Sequence, residues 1–183
     1  MSSFVKASET YQQGQRTLPG RYYTSPEIYA EEQERIFTAR WICVGRAADI
    51  PAAGDYVLRT IAGESVIVVR GRDGALRAFY NVCRHRGTRL CEEPRGRFSE
   101  TIQCPYHAWT YTIDGQLIGA PHMSEVQGFD KRAYPLHAVP LGSKNKTNER
   151  SFPMQQLSKQ PAFELGQIVA TPGALVDSSS LTV

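Results

Sequence analysis

Cys83-Arg84-His85-Arg86-Gly87 and Cys104-Pro105-Tyr106-His107-Ala108-Trp109 are the two most informative stretches of this chain. The first contains a C-x-H pair and the second a C-x-x-H pair, with residues 86–103 between them. Each follows a short run of strand character, Ala78-Phe79-Tyr80 before the first and Thr101-Ile102-Gln103 before the second. Each pair is therefore expected on a loop at a strand end. The chain opens without the apolar stretch of a secretory signal, so its four cysteines fit metal binding better than a disulfide framework.

Two loops that each offer one thiolate and one imidazole can build two different objects. One is a single tetrahedral Cys2His2 zinc. The other is a two-iron, two-sulfide cluster in which both cysteines bind one iron and both histidines bind the other. Zinc fingers commonly draw both cysteines from a hairpin and both histidines from a helix. Here each loop mixes the two types, as it should if each loop gives one ligand to each iron.

Working outward, the neighbouring sequence reads as short strands. Tyr56–Ile61, Ser65–Arg70 and Ala75–Val82 are separated by turns at Ala62-Gly63-Glu64 and Gly71-Arg72-Asp73-Gly74. Trp109–Ile113 and Gln116–Gly119 flank Asp114-Gly115, a favoured two-residue hairpin turn. No helix of ten residues intervenes, which predicts an all-β fold over residues 41–141. Residues 1–40 form a lead-in with one helix over Pro26–Ala39, opened by Ser25 as N-cap, Pro26 in the first turn and Glu27 behind it. Residues 142–183 read as a divergent, poorly structured tail, in which Gln167–Ala170 would form a strand only if something covered it.

Composition excludes several function classes. Of 183 residues, 41% are hydrophobic, which rules out wholesale disorder. Lys and Arg number 21 against 18 Asp and Glu, a net charge of +3, too mild for a nucleic-acid-tracking protein. No apolar run approaches the roughly 18 residues of a membrane span. The expected location is the cytoplasm.

With Arg86-Gly87 after the first pair and Trp109 after the second, the two stretches closely resemble the Rieske iron–sulfur motif. They are most similar to the motif of ring-hydroxylating oxygenase α subunits and their choline and carnitine monooxygenase relatives. Leu18-Pro19, Tyr23, Ile36-Phe37, Trp41 and Asp114-Gly115 also look like that family's N-terminal part, so the resemblance spans residues 18–141. It implies a fold of small antiparallel sheets with two metal-binding loops. It also implies a [2Fe-2S] cluster held by Cys83, His85, Cys104 and His107, with Arg86, Gly87, Tyr106 and Trp109 around them. Respiratory Rieske proteins carry an extra cysteine in each loop, joined as a disulfide, and a serine that donates to a sulfide. Here those places hold Thr88, Tyr106 and Trp109, which implies fewer hydrogen bonds to sulfur and a lower reduction potential.

The resemblance further implies a ferredoxin or flavin reductase as electron donor, an assembly of α subunits, and a mononuclear Fe(II) in a larger domain of full-length relatives. No facial triad of two histidines and a carboxylate stands out in the sequence, and His122 and His137 read as ordinary surface or packing residues. The expectation is an electron-transfer domain of oxygenase ancestry, cut short before the catalytic domain and unable to oxygenate alone. The alternatives are a self-standing Rieske ferredoxin and a structural zinc module. Cys43 and Cys91 are expected to be structural, with Cys43 a buried thiol. Trp109 and Tyr111 are expected to pack beside the metal and exclude water. Arg84, Arg86, Arg89, Arg95 and Arg97 form either a basic patch for an acidic partner or a solvated surface.

Overall fold

Ser25 opens the lead-in helix through its side chain, whose Oγ accepts the Ile28 N–H, while Pro26 takes the first helical turn. The computed structural model of the protein describes Gly14, residues 16–143 and residues 167–170. One turn of helix, α1 (Arg21–Thr24), precedes α2 (Pro26–Glu32), which runs on into a π-helical turn at Gln33–Phe37. The helix expected over 26–39 is therefore present with a widened last turn. No residue of these three segments is buried.

The strands then follow: β1 (Ile42–Arg46), β2 (Asp55–Ile61), β3 (Glu64–Arg70), β4 (Leu76–Tyr80), β5 (Arg95–Arg97), β6 (Thr101–Gln103), β7 (Thr110–Thr112), β8 (Leu117–Gly119), β9 (Leu141–Ser143) and β10 (Gln167–Ala170). They pair antiparallel in three sheets of order β1-β10-β9, β4-β3-β2-β5 and β6-β7-β8. The strand at 167–170 is covered as the sequence requires, by β1 on one side and β9 on the other. Residues 144–166 and 171–183 lie outside the described residues, as does most of the stretch before Arg16.

The middle sheet is apolar on both faces because strand side chains alternate. Val66, Ile67, Val68 and Val69 of β3 are all fully buried. Val66 and Val68 join Val44, Ile50, Val57, Ile61 and Val139 in one core. Ile67 and Val69 join Phe79, Ile102, Trp109, Tyr111 and Leu117 in the other, which also contains Cys83 and Cys104. The second core fastens the β6-β7-β8 sheet to the middle one. The segment after β8 adds backbone ties between them: Leu136 N donates to Gly115 O (2.8 Å), and Val139 N to Ala78 O (2.8 Å).

Two local expectations need correction. The turn at Asp114-Gly115 is a three-residue loop over 113–115, in which Gly115 N donates to Thr112 O (2.9 Å) and Thr112 N to Gln116 O (2.9 Å). Gly115 has φ +87° while Asp114 keeps a negative φ, whereas a two-residue type I′ turn needs positive φ at both centres. A Cβ at Gly115 would also lie 2.5 Å from a Phe79 ring carbon, so the core itself fixes glycine there. Residues 95–97, read above only as part of a basic stretch, form the edge strand β5 beside β2. There Arg97 pairs with Asp55 and holds its carboxyl below the usual range.

Between β4 and β5 the chain is organised by Asn81, which is buried at 3% exposure. Its Oδ1 accepts the N–H groups of Leu90 (2.9 Å) and Cys91 (3.1 Å), and its Nδ2 donates to Cys91 O (2.6 Å) and Ser65 Oγ (3.2 Å). One amide thus closes the loop that carries Cys83 and His85. Asn81→Ala leaves these buried groups unpaired and should cost about 2–4 kcal/mol in urea unfolding.

Candidate metal centre

The two loops have the same backbone. Cys83 N donates to Thr88 O (2.8 Å) and Gly87 N to Cys83 O (3.0 Å). Cys104 N donates to Trp109 O (2.8 Å) and Ala108 N to Cys104 O (3.1 Å). The fifth residue of each is left-handed, Gly87 at φ +71° and Ala108 at φ +55°. Glycine adopts this conformation freely, and alanine does so at a cost of about 1 kcal/mol. Each loop turns its cysteine inward beneath a histidine two or three residues on.

Cys83 and Cys104 are 1% and 3% exposed. The rings of His85 and His107 stand 4.7 Å apart, centroid to centroid, inclined at 71°. Both Nδ1 atoms are buried and without a hydrogen-bond partner. An unpaired buried nitrogen is costly, and two of them beside two buried thiols compose a donor set for metal. Burial, then the neighbouring His107 and Arg86, holds the His85 pKa below the ordinary histidine value and favours the neutral, ligating form.

The donor set is two thiols and two imidazoles, one of each from each loop. A structural zinc requires four donors around one point. Two irons bridged by two sulfides require only two protein donors each, the number that one pair of thiols and one pair of imidazoles provide.

Tyr111 contributes more than packing. Its hydroxyl accepts the Arg84 N–H (3.1 Å) and lies 3.4 Å from Cys83 Sγ. Burial and the nearby thiol push its pKa far above the ordinary phenol value, so it keeps the proton with which it can donate to sulfur. The His85 backbone N–H is also directed to Cys83, opposing the upward shift that burial imposes on that thiol. Alternation along β7 places Tyr111 inward like Trp109. Its partner sits on the other loop, however, and only the tertiary structure brings that loop near.

Around this core, Trp109 lies flat on His85, with centroids 4.9 Å apart and planes 7° apart. Tyr106, exposed, covers His107 at 3.7 Å. Gly87 supplies the left-handed turn, and Arg86 is exposed beside His85. Arg84 reaches away from the centre, its Nη1 2.6 Å from His137 Nε2, so His137 anchors the first loop to the segment after β8. Sequence reasoning assigned His137 no such role. Cys91 is partly buried and held by Asn81, in keeping with a structural part, whereas Cys43 is exposed rather than buried. In β1 the alternation turns Val44 inward and Cys43 out. His122 is exposed, with φ +64°.

Residues 40–130 match the Rieske [2Fe-2S] domain family. This stretch is a Rieske domain. The carnitine monooxygenase oxygenase subunit of Escherichia coli (strain K12) is 46% identical over 125 residues, covering 68% of this chain and 33% of that protein. The crystal structure of the quaternary ammonium Rieske monooxygenase CntA with γ-butyrobetaine superposes with a TM-score of 0.70 at 32% identity, covering 86% of this chain and 39% of that one. Naphthalene 1,2-dioxygenase from Rhodococcus sp. bound to indole gives a TM-score of 0.69 at 31% identity, covering 84% and 31%. The chain spans about a third of the length of the curated relatives it matches. A Rieske domain carries a [2Fe-2S] cluster, and the buried thiols and unpaired imidazole nitrogens described above fit that group. Among the described residues no helix is long and apolar enough to cross a membrane.

Burial, then the Arg84 guanidinium, holds the His137 pKa below its ordinary value. The folded state therefore binds fewer protons than the unfolded chain, and the stability contributed by neutral His137 is lost as pH falls below about 6.5. His137→Gln should flatten part of this decline. Thermal unfolding midpoints of the parent and variant, compared at about pH 7.5 and about pH 5.5, test it.

Proposed function

We propose that Cys83 and Cys104 bind one iron of a [2Fe-2S] cluster, that His85 and His107 bind the other, and that the chain is the electron-transfer part of a Rieske non-haem iron oxygenase. Two matching loops that bring together two buried thiols and two buried, partnerless Nδ1 atoms carry this reading. When bound, the cluster accepts and passes on single electrons. The chain's own residues set the terms. The Tyr111 hydroxyl and the His85 backbone N–H donate toward Cys83 sulfur and so favour added negative charge. Trp109, with Phe129 and Tyr134 packed against it, keeps water from the side of His85.

The substrate class we favour for the complete enzyme is a quaternary ammonium compound, because relatives that this chain matches at 46% and 41% identity are carnitine and glycine betaine monooxygenase subunits. An aromatic compound is the second class. Oxygen chemistry needs an open coordination position beside substrate, which a cluster with every protein position filled does not supply, so a mononuclear iron must act with it. A ferredoxin or flavin reductase in the cytoplasm delivers the electrons. The exposed, positively charged Arg86, Arg89 and Arg95 near the first loop suit an acidic donor.

Protein purified or reconstituted without oxygen should contain two irons and two sulfides per chain and give an EPR signal after one-electron reduction. His107→Ala should abolish that signal. A colourless protein holding one zinc would overturn the reading. Tyr111→Phe should retain the cluster while lowering its potential by roughly 40 mV, the equivalent of about 1 kcal/mol for one electron. Redox titration followed by EPR measures this.

A further inference from the structure

Among the described residues three buried side-chain nitrogens or oxygens lack a hydrogen-bond partner, and all three lie at this centre: His85 Nδ1, His107 Nδ1 and Trp109 Nε1. The first two are accounted for as iron ligands. The third is not. An indole N–H can only donate, and leaving it buried and unpaired costs about 1–3 kcal/mol. Trp109 is 1% exposed, so bulk water does not satisfy it.

The surroundings narrow the choice of acceptor. Trp109 is fixed at its backbone, where its carbonyl accepts the Cys104 N–H. Its side chain crosses from the second loop to the first and lies parallel to His85. Phe129 and Tyr134 meet the indole ring at 5.7 and 5.8 Å, and neither the Tyr134 hydroxyl nor any other described group accepts from its N–H. The same core contains the Cys83 and Cys104 sulfurs. What remains is sulfur belonging to the cluster, which grows more basic as the cluster gains an electron.

We propose that the Trp109 indole N–H is a hydrogen-bond donor to a sulfur atom of the bound [2Fe-2S] cluster, making Trp109 a determinant of its reduction potential. This rests on the ligand assignment above. The stack on His85 and the donation to sulfur are separable, because phenylalanine can preserve the first and cannot perform the second.

Trp109→Phe tests it in protein reconstituted with iron and sulfide. Iron and sulfide content and the EPR signal of the reduced state report whether the cluster itself is present, and their absence from the parent protein would defeat the ligand assignment instead. With the cluster retained, the variant should show about a fivefold less favourable reduction equilibrium, a fall of roughly 40 mV at 59 mV per tenfold for one electron. It should also lose a deuterium-exchangeable proton coupling seen by ENDOR in the reduced parent. An unchanged potential with unchanged exchangeable couplings overturns the proposal. Should the variant fail to assemble, the parent protein labelled with indole-15N tryptophan decides. The chain has two tryptophans, Trp41 and Trp109. A weak 15N coupling to the reduced cluster supports the bond, and its absence overturns it.

Discussion

The two loops can share one inorganic centre because the middle sheet and the β6-β7-β8 sheet share one hydrophobic core. Ile67, Val69 and Phe79 on one side and Ile102, Tyr111 and Leu117 on the other press the sheets together, with Cys83 and Cys104 buried at their common end. Burial of this apolar surface stabilises the fold by about 25 cal/mol per Å2. It holds the strand ends close enough for two hairpin-like tips to face each other. Within each tip, short backbone bonds from Cys83 to Thr88 and from Cys104 to Trp109 shape the turn that aims the donors.

That division of labour explains what the sequence could disclose. The valine-rich β3 and its neighbours were legible because β-branched runs between glycine turns have few alternatives. The lead-in helix was legible from Ser25 and Pro26, which act locally. The pairs we propose as metal ligands drew notice because Cys and His at such spacings carry chemistry that surface loops seldom need. By contrast, the short edge strand Arg95–Arg97 has no periodic signal and exists because β2 offers it a partner. In the loop at 113–115, the glycine at Gly115 is required by Phe79, which lies 36 residues upstream.

The parts of the site that escaped sequence reading are those that act across the two loops. Tyr111 sits on β7 but serves Cys83; Asn81 sits after β4 but organises Leu90 and Cys91; His137 lies beyond β8 but restrains Arg84. None occupies a distinctive spacing, and each gains its role from hydrogen bonds that only the folded chain brings together. The low potential inferred from a missing serine is therefore only part of the balance, since Tyr111 returns one donor to the sulfur. Exposed Cys43 shows the opposite failure, in which a residue in an apolar-looking run falls on the outward side of its strand.

The central claim is that each loop gives one ligand to each of two irons, which makes the irons chemically unequal. Mössbauer spectroscopy of protein reconstituted with 57Fe reads this directly. The account predicts two doublets of equal area in the oxidised protein, one from a sulfur-only iron and one from an iron with two nitrogen ligands. A single doublet from equivalent irons, or a protein that takes up no iron, would contradict it.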